Sequence, residues 1–260
     1  MLIDSHAHLD APYFRNKLPA VLDRARKAGI KNVITIGVTP SSSRNCMQIA
    51  AQYASVYTAV GYHPHWANGA TPDRLAQAEH LARETSAVAL GEIGLDYHHF
   101  RSPKQDQIAL FRTMLDIAVA AKLPVVIHDR KAHSDVYQIL AAYQSTLVGG
   151  IIHCFSGNWN LARKYLDWGF FLSIPGTLTY PRSADLRDVA QKAPLDRLLL
   201  ETDAPHLTPA PQKGRRNEPA FVRYTALALA SLRKIALEDV AQATSQNVIT
   251  VFRLRDNDHK

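Results

Sequence analysis

Eight short apolar runs, each followed by a stretch with helical periodicity, set the tightest limit on how this chain can fold. The runs cover residues 2–6, 32–38, 57–63, 87–93, 124–128, 149–153, 170–174 and 197–202. "PVVIH" and "RLLLETD" are almost continuously apolar, the pattern of strands covered on both faces in a parallel sheet. Between the runs, Leu18, Val21, Leu22 and Ala25 keep the i, i+3, i+4, i+7 spacing of a helix, with Gly29 as the residue past its end. "TPDR" at Thr71 predicts another helix start. "SPKQ" at Ser102–Gln105 predicts a capping box with Pro103 in the first turn, opening a helix whose stripe is Phe111, Met114, Leu115 and Ala118. Further helices are expected over 41–53, 131–143, 158–168 and 183–191, and two more from Pro219 and from Leu237. Eight strands alternating with helices predict an α/β TIM (β/α)8 barrel. The competing open, doubly wound sheet lacks its usual marks, since neither G-x-G-x-x-G nor a P-loop is present.

With 47% hydrophobic and 20% charged residues, the chain has the composition of a folded globular protein. No linker interrupts it, so residues 1–254 are expected to form a single domain, followed by a frayed tail over 255–260. Two cysteines are too few for a disulfide framework and suit a reducing compartment. Asp4, His6 and His8 break the first apolar run before a signal peptide could form. No stretch reaches membrane-spanning length. These features predict a cytoplasmic protein that does not enter a membrane, and the lack of an exposed apolar stripe predicts a monomer. The formal charge of +7 suits a polyanionic partner such as nucleic acid.

Polar residues gather at the C-terminal ends of the runs. His6 and His8 end the first, Glu92 the fourth, His128 the fifth and His153 the sixth, and Asp203 follows the eighth. In a barrel these ends converge on the face that carries active sites. Residues i and i+2 of a strand share a face, so His6 and His8 are expected to point together, as are Glu201 and Asp203. One histidine at a strand end is an ordinary hydrogen-bonded residue. All of them at the same barrel end is a different matter. Imidazoles with carboxylates suit Zn²⁺, Mn²⁺ or Ni²⁺ better than Ca²⁺. Six ligands exceed one tetrahedral ion and fit two ions, with Glu92 as the bridge.

Predicted loops at the same end carry Arg101, Lys104, Arg130, Lys131 and Arg182, and "QKGRRNEPAF" adds Lys213, Arg215 and Arg216. Such residues can contact phosphates. Tyr97, Phe100, Phe155 and Trp159 either stack bases of a single strand or pack within their loops. His65, His98, His99, His133 and His206 lie on the same rim. Cys154 adjoins His153, but strand alternation turns it away from the barrel centre, as befits a structural cysteine.

The motifs "SHAHLD", "GYHPH", "GEIGLDYH", "PVVIHDR", "IIHCFSG", "LLLETDAP" and "RRNEPA" together resemble those of the TatD-like metal-dependent deoxyribonucleases of the amidohydrolase superfamily. The resemblance covers almost the whole chain. It implies a TIM barrel that hydrolyses phosphodiester bonds in DNA, often as an exonuclease, with two divalent ions (Zn, Mg, Mn or Ni). His6, His8 and Asp203 would hold one ion, His128 and His153 the other, and Glu92 both. His63 would sit near the scissile phosphate, with Arg130, Arg215, Arg216 and Asn217 on the substrate side. Asp203 is then the general base, and His63 donates a hydrogen bond or a proton. Glu201 either orients a histidine ligand or forms an ion pair inside the barrel. The expected substrate is DNA, single-stranded or at an end. Two other functions stay open. One is hydrolysis of a small C–N or C–O substrate or an aminoacyl ester, although many such enzymes bridge their metals with a carbamylated lysine where this chain has Glu92. The other is a non-catalytic nucleic-acid-binding barrel.

Overall fold

A computed structural model describes residues 1–254; the tail expected over 255–260 lies outside the described residues. Eight strands form one sheet: β1 (Leu2–Ala7), β2 (Ile30–Ile36), β3 (Val56–Val60), β4 (Ala87–Asp96), β5 (Val125–Arg130), β6 (Gly150–Ile152), β7 (Phe171–Ile174) and β8 (Leu198–Leu200). They are hydrogen-bonded in sequence order, and every pair is parallel. The connecting helices are α1 (Leu18–Lys27), α2 (Pro40–Gln52), α3 (Pro72–Ala82), α4 (Lys104–Ala121), α5 (His133–Ala141), α6 (Trp159–Asp167) and α7 (Ala184–Lys192), with α8 (Val222–Arg233) and α9 (Leu237–Phe252) after the last strand. This is a TIM barrel, nearly closed. No helix among the described residues is long and apolar enough to cross a membrane.

β1 and β8 share no regular ladder. The seam is closed beyond β8, by a bridge between Ala7 and Ala204 and by the Asp4 side chain. Asp4 is fully buried, and its carboxylate accepts from the Thr202 backbone N–H (2.9 Å) and the Thr202 hydroxyl (2.6 Å). Burial pushes this carboxyl up to about 8.

Two apolar layers result. The inner one takes Ile3, Ile34, Ile36, Ala59, Ala89, Val126, Ile151, Phe171 and Leu199, at least one residue from each strand. Val248, Val251 and Phe252 of α9 pack into the same cluster and stopper the barrel at one end. The outer layer lies between strands and helices and includes Leu90, Phe111, Met114 and Leu200. Truncating a fully buried aliphatic residue in such a layer to alanine costs about 2–5 kcal/mol.

Some expectations needed correction. The "SPKQ" capping box does not form: Pro103 occupies the cap position of α4 without a side-chain bond. The Ser102 hydroxyl is instead spent on the turn after β3, donating to the His65 carbonyl (3.0 Å) and accepting from the Asn68 N–H (3.1 Å). At Thr71 the hydroxyl does cap α3, accepting from the Arg74 N–H. β8 stops at Leu200, so Glu201 and Asp203 are not neighbours on one strand face. Asp203 takes a left-handed φ of 56°, a conformation Asp tolerates better than most residues. Cys154 lies beyond β6 with a φ of 45°, so strand alternation does not govern it either.

Both β1 and β4 carry an extra residue. Asp4 to Ala7 is three steps against the two from Val33 to Thr35 in β2, and Leu90 to Ile93 is three against the two from Val125 to Ile127 in β5. Such bulges break the two-residue alternation and re-aim a side chain. Ile3 belongs to the inner cluster and Ser5 meets Ser173 across the barrel (3.0 Å), yet His6 also faces inward. Glu92 is brought in the same way, three residues after Ala89.

Candidate metal centre

His6 and His8 converge at the open end of the barrel, their Nε2 atoms 3.4 Å apart. His8 Nδ1 is 3.1 Å from the Ile36 carbonyl, to which it can only donate. That bond holds the proton on Nδ1 and turns Nε2 inward, the atom a metal-ligating histidine offers once its proton is displaced. Asp203 is tied beneath them by backbone bonds, from its own N–H to the His6 carbonyl (2.9 Å) and from the His8 N–H to the Ala204 carbonyl (2.7 Å). Its Oδ1 lies 3.8 Å from His6 Nε2 and 3.3 Å from His8 Nε2.

Glu92 stands at the centre and is almost completely buried. Oε1 is 2.6 Å from His128 Nδ1, 2.9 Å from His153 Nε2 and 3.4 Å from His63 Nε2. Oε2 is 3.5 Å from His6 Nε2 and 3.6 Å from His8 Nε2. The backbone here leaves no room for side chains. A Cβ on Gly61 would collide with the Gly91–Glu92 peptide, and one on Gly94, whose φ is 140°, with the His128 carbonyl.

Glu201 is wholly buried beside the stacked rings of His6 and His153, whose centroids are 3.9 Å apart. Its Oε1 lies 3.4 Å from His153 Nδ1, without the alignment of a hydrogen bond. Both Glu201 oxygens, His6 Nδ1 and His153 Nδ1 are buried without hydrogen-bond partners.

Burial by itself disfavours every charge in this centre, but the charges hold one another. The imidazoles around Glu92 keep its carboxyl well below the usual range despite burial. Burial pushes Asp203 up, yet the His8 hydrogen bond and charge outweigh it and bring it to about 2. His8 is lifted to about 9 against burial by Asp203 and Glu92, and His128 and His153 are also raised. Burial holds His6 below its ordinary value. Anionic carboxylates packed against several nitrogen donors make a cradle for positive charge, and a divalent cation supplies that charge while displacing protons. Four groups among the described residues lie close enough to hold a cation: His6–His8–Asp203, His6–His153–Glu201, His63–Glu92–His128 and His65–Asp96–His99. The residues present therefore fit a divalent-metal centre.

His63 differs from the rest. Its Nδ1 accepts from the His65 backbone N–H (3.0 Å), so the ring proton sits on Nε2 and points at the centre. Burial depresses this ring to about 3, leaving it a neutral donor.

Asp96 was not singled out from the sequence. It is completely buried at the end of β4, and its Oδ1 accepts the backbone N–H groups of His98 (2.9 Å) and His99 (2.8 Å). Its Oδ2 gathers His65 Nε2 (2.7 Å), His99 Nδ1 (2.8 Å) and His128 Nε2 (3.3 Å). The carboxylate thus fixes His128 with Nδ1 toward Glu92. The signal for it was an acid four residues after Glu92 followed by two histidines.

The expected substrate side is only partly on the surface. Arg215 and Arg216 are exposed, their guanidinium groups over the rings of Phe221 (4.9 Å) and Tyr13 (5.4 Å). Arg130 is half-buried at the end of β5. Asn217 is fully buried: its amide donates to the Thr202 and His206 carbonyls and accepts from the Glu218 N–H, so it braces the Asp203 loop instead of facing the opening. Phe155 is buried and Trp159 packs on the core, whereas Phe100 is 61% exposed and stacks on Tyr97.

The family model described as TatD related DNase matches residues 3–253. The chain is similar to the uncharacterized metal-dependent hydrolase YabD of Bacillus subtilis, with 38% identity covering 98% of this chain and 100% of that protein. It is also similar to the 3′-5′ ssDNA/RNA exonuclease TatD of Klebsiella pneumoniae, with 33% identity covering 98% and 99%. Among solved structures, YJJV, a TatD homologue from Escherichia coli K12, superimposes with a TM-score of 0.90 at 32% identity, covering 98% of each chain. Fold, ligand cluster and these likenesses agree, and the chain belongs to the TatD family of metal-dependent hydrolases in the amidohydrolase superfamily.

Proposed function

We propose that residues 1–254 form one catalytic unit, a cytoplasmic monomer that binds two divalent ions and shortens single-stranded DNA from an end. The observation that carries this reading is the way Glu92 divides its carboxylate. Oε1 lies within 3.4 Å of His63, His128 and His153, and Oε2 within 3.6 Å of His6 and His8. A carboxylate serving two ligand groups is suited to bridge two ions. His6, His8 and Asp203 would hold one, and His128 and His153 the other. Bound there, the ions would supply Lewis-acid charge and acidify a water.

The chain's own groups do the rest. Asp203 turns Oδ1 toward His6 and His8, which leaves Oδ2 to accept the proton of the attacking water. His63 presents Nε2–H to a non-bridging phosphate oxygen; its neutral ring favours hydrogen bonding over proton delivery. Glu201 lies 3.4 Å from His153 Nδ1 and supports that ring by its charge. Arg130, Arg215 and Arg216 have no carboxylate partner among the described residues and suit phosphates, whereas Lys104 is neutralised by Asp135 at 2.7 Å. Exposed Phe100 offers a face to a base. The Klebsiella relative's description as a single-strand exonuclease supports the same substrate class.

The test is incubation of metal-reconstituted protein with end-labelled single-stranded DNA, with and without chelator. Stepwise, chelator-sensitive shortening is expected. No cleavage with Mg²⁺, Mn²⁺ or Zn²⁺ demonstrably bound would overturn the nuclease reading and favour a small-molecule or aminoacyl-ester hydrolase.

A further inference from the structure

A cavity of about 450 Å³ opens between the start of α2, the start of α3 and the turn that follows β3. Its lining includes Thr39, Ser41, Arg44, Tyr62, Trp66 and Arg74. None of the metal-centre residues lines it, but it adjoins that centre along the chain. Tyr62 precedes His63, Trp66 follows it by three residues, and Thr39 follows Ile36, whose carbonyl holds His8. The volume falls within the range of small-ligand sites, roughly 300–1,000 Å³.

Trp66 is 50% exposed, and no ring stacks on it among the described residues. The other tryptophans, Trp159 and Trp168, pack against the core. The turn that presents Trp66 is firmly braced. Its N–H bonds to the His63 carbonyl (3.0 Å), the Tyr62 hydroxyl donates to the Gly69 carbonyl (3.0 Å), and Ser102 ties His65 to Asn68. An exposed indole on a braced turn is a stacking platform that loses little entropy when a ligand lands on it.

Two guanidinium groups flank the platform from different helices. Arg44 donates to the Gln77 side chain (3.1 Å) and Arg74 to the Gly69 carbonyl (3.1 Å). Both acceptors are neutral, and neither arginine has a carboxylate partner among the described residues. Each keeps most of its donors for an anion. An aromatic face beside unneutralised guanidinium groups has the chemistry of a nucleotide site, the base on the ring and the phosphate on the arginines. We infer that this cavity is a subsite for the nucleotide next to the one at the metal centre, an assignment that rests on the nuclease reading.

The test is binding of fluorescein-labelled oligothymidylate to chelated protein, followed by anisotropy, beside cleavage of the same strand by metal-loaded protein. W66A should weaken binding about 5-fold or more, the low end of what loss of one stacked base costs, and W66F should recover much of it. R44A/R74A should flatten the dependence of log Kd on log salt by about 1.4, roughly 0.7 for each lost phosphate contact. If wild type cleaves the strand while W66A and R44A/R74A bind as wild type does, the subsite is wrong and the nuclease reading stands. If wild type binds without cleaving and W66A binds more weakly, the cavity is a nucleotide site but the nuclease reading fails, and with it the assignment as a neighbour of the cleaved nucleotide. If wild type neither binds nor cleaves, both are wrong.

Discussion

His6 Nε2 lies 3.5 Å from Glu92 Oε2, and both side chains reach that point from the extra residue of a bulge. A regular β1 that kept Ile3 and Ser5 inward would turn His6 out, and a regular β4 that kept Ala89 inward would do the same to Glu92. The meeting of these two side chains is therefore built into the backbone register.

His128→Ala removes the nitrogen nearest to Glu92, at 2.6 Å. Metal content should fall and hydrolysis should be abolished while the barrel stays folded. Elemental analysis beside a cleavage assay checks this; full occupancy with full activity would exclude His128 from the ligand set.

Asp96 acts through His128 rather than on a substrate. In Asp96→Asn the amide still fits but no longer offers His128 a charged acceptor. Metal affinity should drop by roughly 10- to 100-fold, the usual effect of losing such a support. Calorimetric titration of chelated protein reads it directly, and an unchanged affinity would reduce Asp96 to a brace for its loop.

The Asp4 seam should respond to pH. Its carboxyl stands at about 8 in the folded chain, against 3.8 for the unperturbed group. Between those values the folded state holds a proton that the unfolded state releases, so rising pH removes stability. The loss is at most about 1.4 kcal/mol per pH unit, and it ends above the folded value. Asp4→Asn cannot titrate. Urea melts of chelated protein should therefore show wild type losing stability relative to Asp4→Asn as pH climbs from 5 to 8. A constant difference would mean that Asp4 is ionised throughout.

Arg216 rests over Tyr13 on the exposed loop that follows β8. Arg216→Ala should weaken polynucleotide binding and lower its salt slope by about 0.7 while the metal content stays put. A slope equal to that of wild type would take this loop off the path of the substrate.

The barrel itself was legible because its signal repeats. Eight apolar runs and their helices sit close to where periodicity puts them, and Thr71 caps α3 as its sequence predicts. What escaped depends on contacts distant in sequence. Ser102 has the sequence of a cap, but the turn at 65–68 claims its hydroxyl. Alternation puts His6 beside His8, and they do meet, but it says nothing of the bulge that lets Ile3 and His6 both face inward. It also pairs Glu201 with Asp203, which the end of β8 at Leu200 prevents. Asn217 has the polarity of a substrate contact, yet the backbone of the Asp203 loop uses its whole amide. Asp96 was signalled only by the two histidines that follow it, which does not reveal its hold on the distant His65 and His128, and nothing local marks a tryptophan as left in water.

The packing of α9 against the inner cluster makes the barrel a cup rather than a tube. Nothing can be drawn through it. On the nuclease reading, a strand must enter and leave across the same rim, so each severed piece would have to clear the opening before the next stretch could settle. Traffic at that single doorway, rather than the bond-breaking event, then becomes a natural place for the turnover rate to be set.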